Sequence, residues 1–107
     1  MVAVRFGIYL VCLDPTIGHE MKKTRPCIVV SPDEMNQAIR TVIIAPMTTR
    51  THAYPTRIPL EFEGKSGEIV LDQLRTVDSA RLIRRLGSLE AKTGAKVLAC
   101  LQEMFSL

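Results

Sequence analysis

Residues 13–26 read LDPTIGHEMKKTRP and stand between two apolar, β-rich runs, VAVRFGIYLVCL at 2–13 and CIVVS at 27–31. A connection between two half-buried strands needs only turn formers. This one is longer than a hairpin requires: Asp14-Pro15 starts a turn, Gly18 permits a positive φ, and Lys22, Lys23 and Arg25 place three positive charges within four positions. The cluster reads either as a solvated basic loop or as a site for an anion. Arg25 is the sharper residue. Pro26 pushes it into extended geometry and the strand that follows fixes its backbone. A guanidinium held that way presents planar paired donors, protonated at any working pH, which fork onto a phosphate where a lysine would be a mobile point charge.

On either side of this loop the pattern is mostly β. Residues 27–31 and 41–47 are short continuous apolar runs of the kind found in the core of a sheet. Between them SPDEMNQAIR predicts a short helix, with Ser31 as N-cap, Pro32 at the first helical position and Glu34 completing a capping box. Residues 48–52 end the next strand in a polar loop. Alternation over 56–62 gives a further strand, which Pro59 confines to an edge or a kink. Residues 63–67 form a turn, 68–75 a strand running out into polar residues, and 82–86 one more. Short strands at this spacing, with turn signals between them, indicate a small β-barrel or sandwich. From Ala91 the period changes to 3.6, with Val97, Leu98, Leu101, Met104 and Phe105 on one stripe, which makes a C-terminal helix packing on the barrel. Gly94 and the lack of a capping side chain before Ala91 weaken its start.

The 107 residues make one domain with a real core. No apolar run approaches the ~18 residues of a membrane span, and the N-terminal segment, broken by Arg5 and Gly7, has no signal-peptide pattern. Cys12, Cys27 and Cys100 are odd in number, lie on apolar runs and lack metal-type spacing, so they read as small hydrophobes in a reducing compartment, the cytoplasm. A net charge of +3 permits an anionic partner without demanding one. Aromatics are 5% with no Trp, which argues against a sheet that stacks bases on exposed rings; contact with nucleic acid would run through charge and backbone.

Five segments, LDPTIGHEMKKTRPCIVVSPDEMN, TVIIAPMTTR, YPTRIPL and GEIVLDQLRTVD with the terminal helix, together resemble in order and spacing the MazF/PemK family of toxin endoribonucleases. The resemblance implies a mainly β fold with α, a small SH3-like β-barrel with a short helix after the second strand and a C-terminal helix. It implies a symmetric homodimer that cuts single-stranded RNA at short sequences with no metal or other cofactor, held in check by an antitoxin whose disordered acidic tail crosses the RNA groove. By position, the arginine of the KTRP motif is Arg25 and the threonine ending the APMT strand is Thr48, the family's catalytic pair. A branch of the family also places a histidine of the first loop at the RNA, which falls on His19, and an acid before the RTVD segment, which falls on Asp72. That branch has an arginine two residues before the acid, where this chain has Val70. Glu20, Thr49 and Gln73 join Asp72 as RNA-contacting candidates, and His52 reads as a solvated loop residue. Phe6-Gly7 and Cys12 stand where family members usually have a Gly-acid pair and a polar residue.

Metal-free RNA cleavage uses the ribose 2′-hydroxyl as nucleophile, so the protein helps to deprotonate it, to stabilise the phosphorane and to protonate the leaving oxygen. Arg25 suits the second task, Thr48 offers a hydroxyl and an N–H to hold the phosphate, and His19 offers an imidazole as a proton shuttle. Glu20 and Asp72 serve either as bases or to order Lys22, Arg25 or Arg75. The alternative from another class is a non-cleaving binding module on the same barrel, as in CcdB-type topoisomerase poisons or a degenerate family member that holds RNA or antitoxin.

Overall fold

The computed structural model, which describes residues 1–107, turns the two continuous apolar runs into strands buried on both faces. They are β2 (Thr24–Val29) and β3 (Thr41–Thr48), joined by the short helix α1 (Asp33–Ala38). Along them side chains alternate between two cores. Cys27, Val29, Val42 and Ile44 go to one, with Tyr9, Val11 and Leu13. Ile28, Val30, Ala45 and Met47 go to the other, with Ile8, Ile69 and Leu71. A strand with no polar face is what an uninterrupted apolar run encodes.

The remaining strands are β1 (Gly7–Cys12), β4 (Arg57–Phe62), β5 (Lys65–Val70), β6 (Arg75–Asp78) and β7 (Leu82–Ser88). One curled, antiparallel sheet of seven strands runs β4-β5-β3-β2-β1-β7, with β6 also on β3. β3 forks the sheet. One of its edges carries β2, with Cys27 opposite Pro46; the other carries β6 along Thr41–Ile44 and then β5 at Met47 and Thr48. The step from β5 to β6 is a single 3₁₀ turn, Leu71–Gln73. The helix α2 (Ala91–Met104) closes the second core with fully buried Val97. Mostly β with a helix after the second strand and a terminal helix is the architecture expected, and Pro59 stands on β4, the outer strand of its edge.

Some local expectations need correction. Residues 68–75 are not one strand: the 3₁₀ turn divides them and β6 pairs separately with β3. The capping box does not form. Pro32 takes the N-cap position without a side-chain cap, while the buried Ser31 Oγ donates to Asn36 Oδ1 at 2.5 Å and accepts the Ile43 N–H at 3.1 Å. A buried Asn36 needs a partner more than an exposed helix end does, because solvent can satisfy the latter. Phe105 leaves the apolar stripe and is 75% exposed. Gly94 is explained by packing, since a Cβ there would lie 2.9 Å from the Phe6 ring. Cys27 is the one fully buried cysteine, and burial pushes its thiol up to about 12; Cys12 and Cys100 are half-buried, and all three are free.

Candidate functional site

The long first loop has a fixed course, and arginines from the far end of the chain hold it. Arg75 Nη1 donates to the Leu13 carbonyl, and Arg81 Nη1 donates to those of Cys12 and Asp14. At the loop's neck Leu13 N donates to Lys23 O at 2.9 Å, and Asp14 Oδ1 accepts the Lys23 N–H at 3.0 Å. Its tip is folded by Glu20 Oε1, which accepts from Ile17 N at 2.6 Å, and is tied to the sheet by Gln73 Oε1, which accepts from Met21 N at 2.8 Å. Gly18 and Lys23 both adopt positive φ, 58° and 68°. Glu20 and Gln73, read as RNA contacts, thus each commit a side-chain oxygen to the loop backbone.

Arg25 is the second residue of β2, half-buried, with Nε donating to Lys22 O at 3.1 Å. Thr48 is the last residue of β3, and its Oγ1 accepts the Arg50 N–H at 3.1 Å. The two face one open groove of about 490 Å³. His19 and Gln73 line it from the side of the first loop; Arg50, His52 and Arg57 line it from the connection between β3 and β4. Thr49 lies in a hollow of about 260 Å³ that shares Arg25 and Thr48. Glu20 and Asp72 lie in a further hollow of about 460 Å³, which meets the groove at His19 and Gln73. The structure therefore brings Arg25, Thr48, His19 and Gln73 together, sets Thr49 on one flank, and leaves Glu20 and Asp72 on the other. His52, read as merely solvated, stands in the groove.

The chain has one side-chain ion pair, and it is not one of those foreseen. Asp72 pairs with Arg57: Nε to Oδ1 and Nη2 to Oδ2, both 3.1 Å, with Thr56 Oγ1 also donating to Oδ1 at 2.9 Å. Arg57 stands directly across from Val70 on the neighbouring strand, which is why no residue close to Asp72 in sequence announced it. Arg25 and Arg50 have no carboxylate partner. Facing an open groove, the Arg25 Nη groups, with Nε already on the Lys22 carbonyl, and the Arg50 guanidinium are free for an anion. No three His, Cys, Asp or Glu side chains converge in a set able to hold a metal ion, and no helix is long and apolar enough to cross a membrane.

The Arg57 guanidinium and the Thr56 hydroxyl hold the Asp72 carboxyl below its ordinary value of 3.8. A depressed carboxyl adds stability that is complete above its unfolded pKa and is lost as pH falls through the folded one. Asp72→Asn should therefore lower stability at neutral pH by about 1 kcal/mol or less, since the acid is partly exposed. Urea unfolding should show this gap at pH 7 and a narrower one near pH 3; a constant gap would mean that charge pairing at Asp72 contributes nothing.

A family profile described as PemK-like, MazF-like toxin of type II toxin-antitoxin system matches residues 4–105. The chain belongs to this family. Endoribonuclease PemK of Escherichia coli is 36% identical over 79 residues, 69% of this chain but 59% of PemK, so the match spans less than two thirds of that relative. Endoribonuclease EndoA of Bacillus subtilis (strain 168) is 30% identical over 114 residues, covering 100% of this chain and 97% of EndoA. Among solved structures, MazF from Deinococcus radiodurans superposes with a TM-score of 0.87 at 27% identity, covering 100% of this chain and 99% of that one. The curled sheet and the two helices are thus the architecture of a MazF-like toxin.

Proposed function

We propose that this chain is a sequence-specific, metal-independent endoribonuclease toxin that cuts single-stranded RNA, mRNA among its targets, by attack of the ribose 2′-hydroxyl. The observation that carries this reading is Arg25, a guanidinium fixed on a strand without a carboxylate partner, beside Thr48 in an open groove. Membership in a toxin family with PemK and EndoA, both endoribonucleases, supports it.

In this mechanism Arg25 binds the non-bridging oxygens of the scissile phosphate and tightens its hold as their charge grows in the phosphorane. Thr48 holds the same phosphate from the end of β3. His19, which lines the same groove, is the group that shuttles protons. Asp72 is a positioning residue and a poor base, because both its oxygens are committed to Arg57 and its carboxyl is depressed. Arg57 brings to Asp72, from across the strand, the guanidinium that a neighbour at Val70 would otherwise supply. The single domain acts as a homodimer in the cytoplasm. A cognate antitoxin with a disordered acidic tail neutralises it by lying on the cationic groove.

Purified protein incubated with a long single-stranded RNA in excess EDTA should cut at a few recurrent short sites and leave 2′,3′-cyclic phosphate ends. No cutting by the folded protein would overturn the ribonuclease reading in favour of a binding module.

A further inference from the structure

The connection between β3 and β4 is built around a buried charge. Glu68, on β5, is only 3% exposed, and its carboxylate accepts the His52 N–H on Oε1 at 3.0 Å and the Ala53 N–H on Oε2 at 3.1 Å. Ala53 adopts a left-handed φ of 53°, a conformation in which successive N–H groups can converge on one anion. A carboxylate is costly to bury unless it is bonded in this way, so the loop and the acid hold each other.

Anchored at this point, His52 and Tyr54 stack in parallel, with centroids 5.3 Å apart and planes within 11°. Tyr54 is fixed from its other side in sequence. The Arg57 N–H bonds the Tyr54 carbonyl at 3.0 Å, and the Arg57 guanidinium carbon lies 4.8 Å from the Tyr54 ring centroid while its nitrogens fork onto Asp72. The result is a fixed aromatic pair whose imidazole lines the same groove as Arg25 and Thr48. Both rings are solvent-exposed, and neither belongs to a hydrophobic core.

We infer that the His52–Tyr54 stack is a nucleobase platform: His52 receives one base of the single-stranded RNA while Arg25 and Thr48 hold the phosphate, so the loop fixes the position of the RNA along the groove. Stacking needs a flat, preordered surface, and here two carboxylates supply the order before RNA arrives, lowering the entropic cost of binding. Charge and backbone are therefore not the only means of holding nucleic acid in this chain. The inference rests on the ribonuclease reading and deepens it.

The probe is a 2′-O-methyl RNA of the sequence that wild type cuts, which lacks the nucleophile and reports binding alone, together with a set of the same oligonucleotide made abasic at one position at a time. His52→Ala should weaken binding of the intact probe by about tenfold, and His52→Phe should restore it. On one abasic probe, the one lacking the stacked base, His52→Ala should bind as wild type does. Equal affinity of wild type and His52→Ala for the intact probe would overturn the platform and leave the ribonuclease reading standing. So would a loss that persists on every abasic probe, or a His52→Phe variant as weak as His52→Ala. Absence of cutting by wild type would remove both together.

Discussion

Arg25→Ala should lower the rate of RNA cleavage by about 10²- to 10³-fold, the effect of removing one preorganised donor from a developing oxyanion. Stability should change by about 1 kcal/mol or less, because the fold loses only the half-buried side chain and its Nε bond to the Lys22 carbonyl. Arg25→Lys should lose most of the same rate: a lysine keeps the charge but not the planar fork, and its flexible stem does not fix the donors. Single-turnover cleavage with enzyme in excess separates the chemical step from binding. Activity in a folded Arg25→Ala within threefold of wild type would remove Arg25 from the mechanism.

Gly67→Ala reaches the other half of the pair through the backbone. A Cβ at residue 67 would sit 2.4 Å from the Thr48 carbonyl oxygen and 3.3 Å from its carbon. Those atoms belong to the main chain, so the clash cannot be relieved by turning a side chain. β3 and β5 must move apart where Met47 faces Ile69 and Thr48 faces Glu68. We expect a loss of about 1–3 kcal/mol on urea unfolding and, because Thr48 moves by a distance on the order of 1 Å, a fall in cleavage of about 100-fold. Gly87→Ala is the control, since its Cβ would meet only the Phe62 ring at an ordinary 3.7 Å. If Gly67→Ala matched Gly87→Ala in both assays, the close approach would have no bearing on the site.

The parts legible in the sequence were those in which a residue's neighbours along the chain determine its environment. The runs at 27–31 and 41–47 announced buried strands because both faces are covered and no polar period interrupts them. Arg25 was visible because Pro26 follows it. Thr48 carried no signal of its own in a Thr-Thr pair and entered through the resemblance of TVIIAPMTTR to the toxin family. What stayed hidden depends on pairings across long separations. β6 is only four residues, and its partner strand is β3. Arg57 looked like one polar residue of an alternating edge strand, although it meets Asp72 fifteen positions away. Glu68 entered only as the first residue of a strand over 68–75, although it is buried and holds the loop that carries His52. Ser31 was misread for the same reason, its hydroxyl being taken up by Asn36 and Ile43 and not by the helix start.

The first loop is gripped by its carbonyls. Arg75 and Arg81 hold Cys12, Leu13 and Asp14 through backbone oxygens, and Gln73 holds Met21 through its backbone N–H. Main-chain atoms are the same whatever side chain they carry, so outside Asp14, Gly18 and Glu20 the path of the loop and its lettering are largely separate variables. A residue such as Ile17, 83% exposed, can be exchanged while the loop keeps its course beside Arg25. On the proposed ribonuclease reading, exchanges at such positions would change what the RNA meets beside the groove without displacing Arg25 or Thr48 from it.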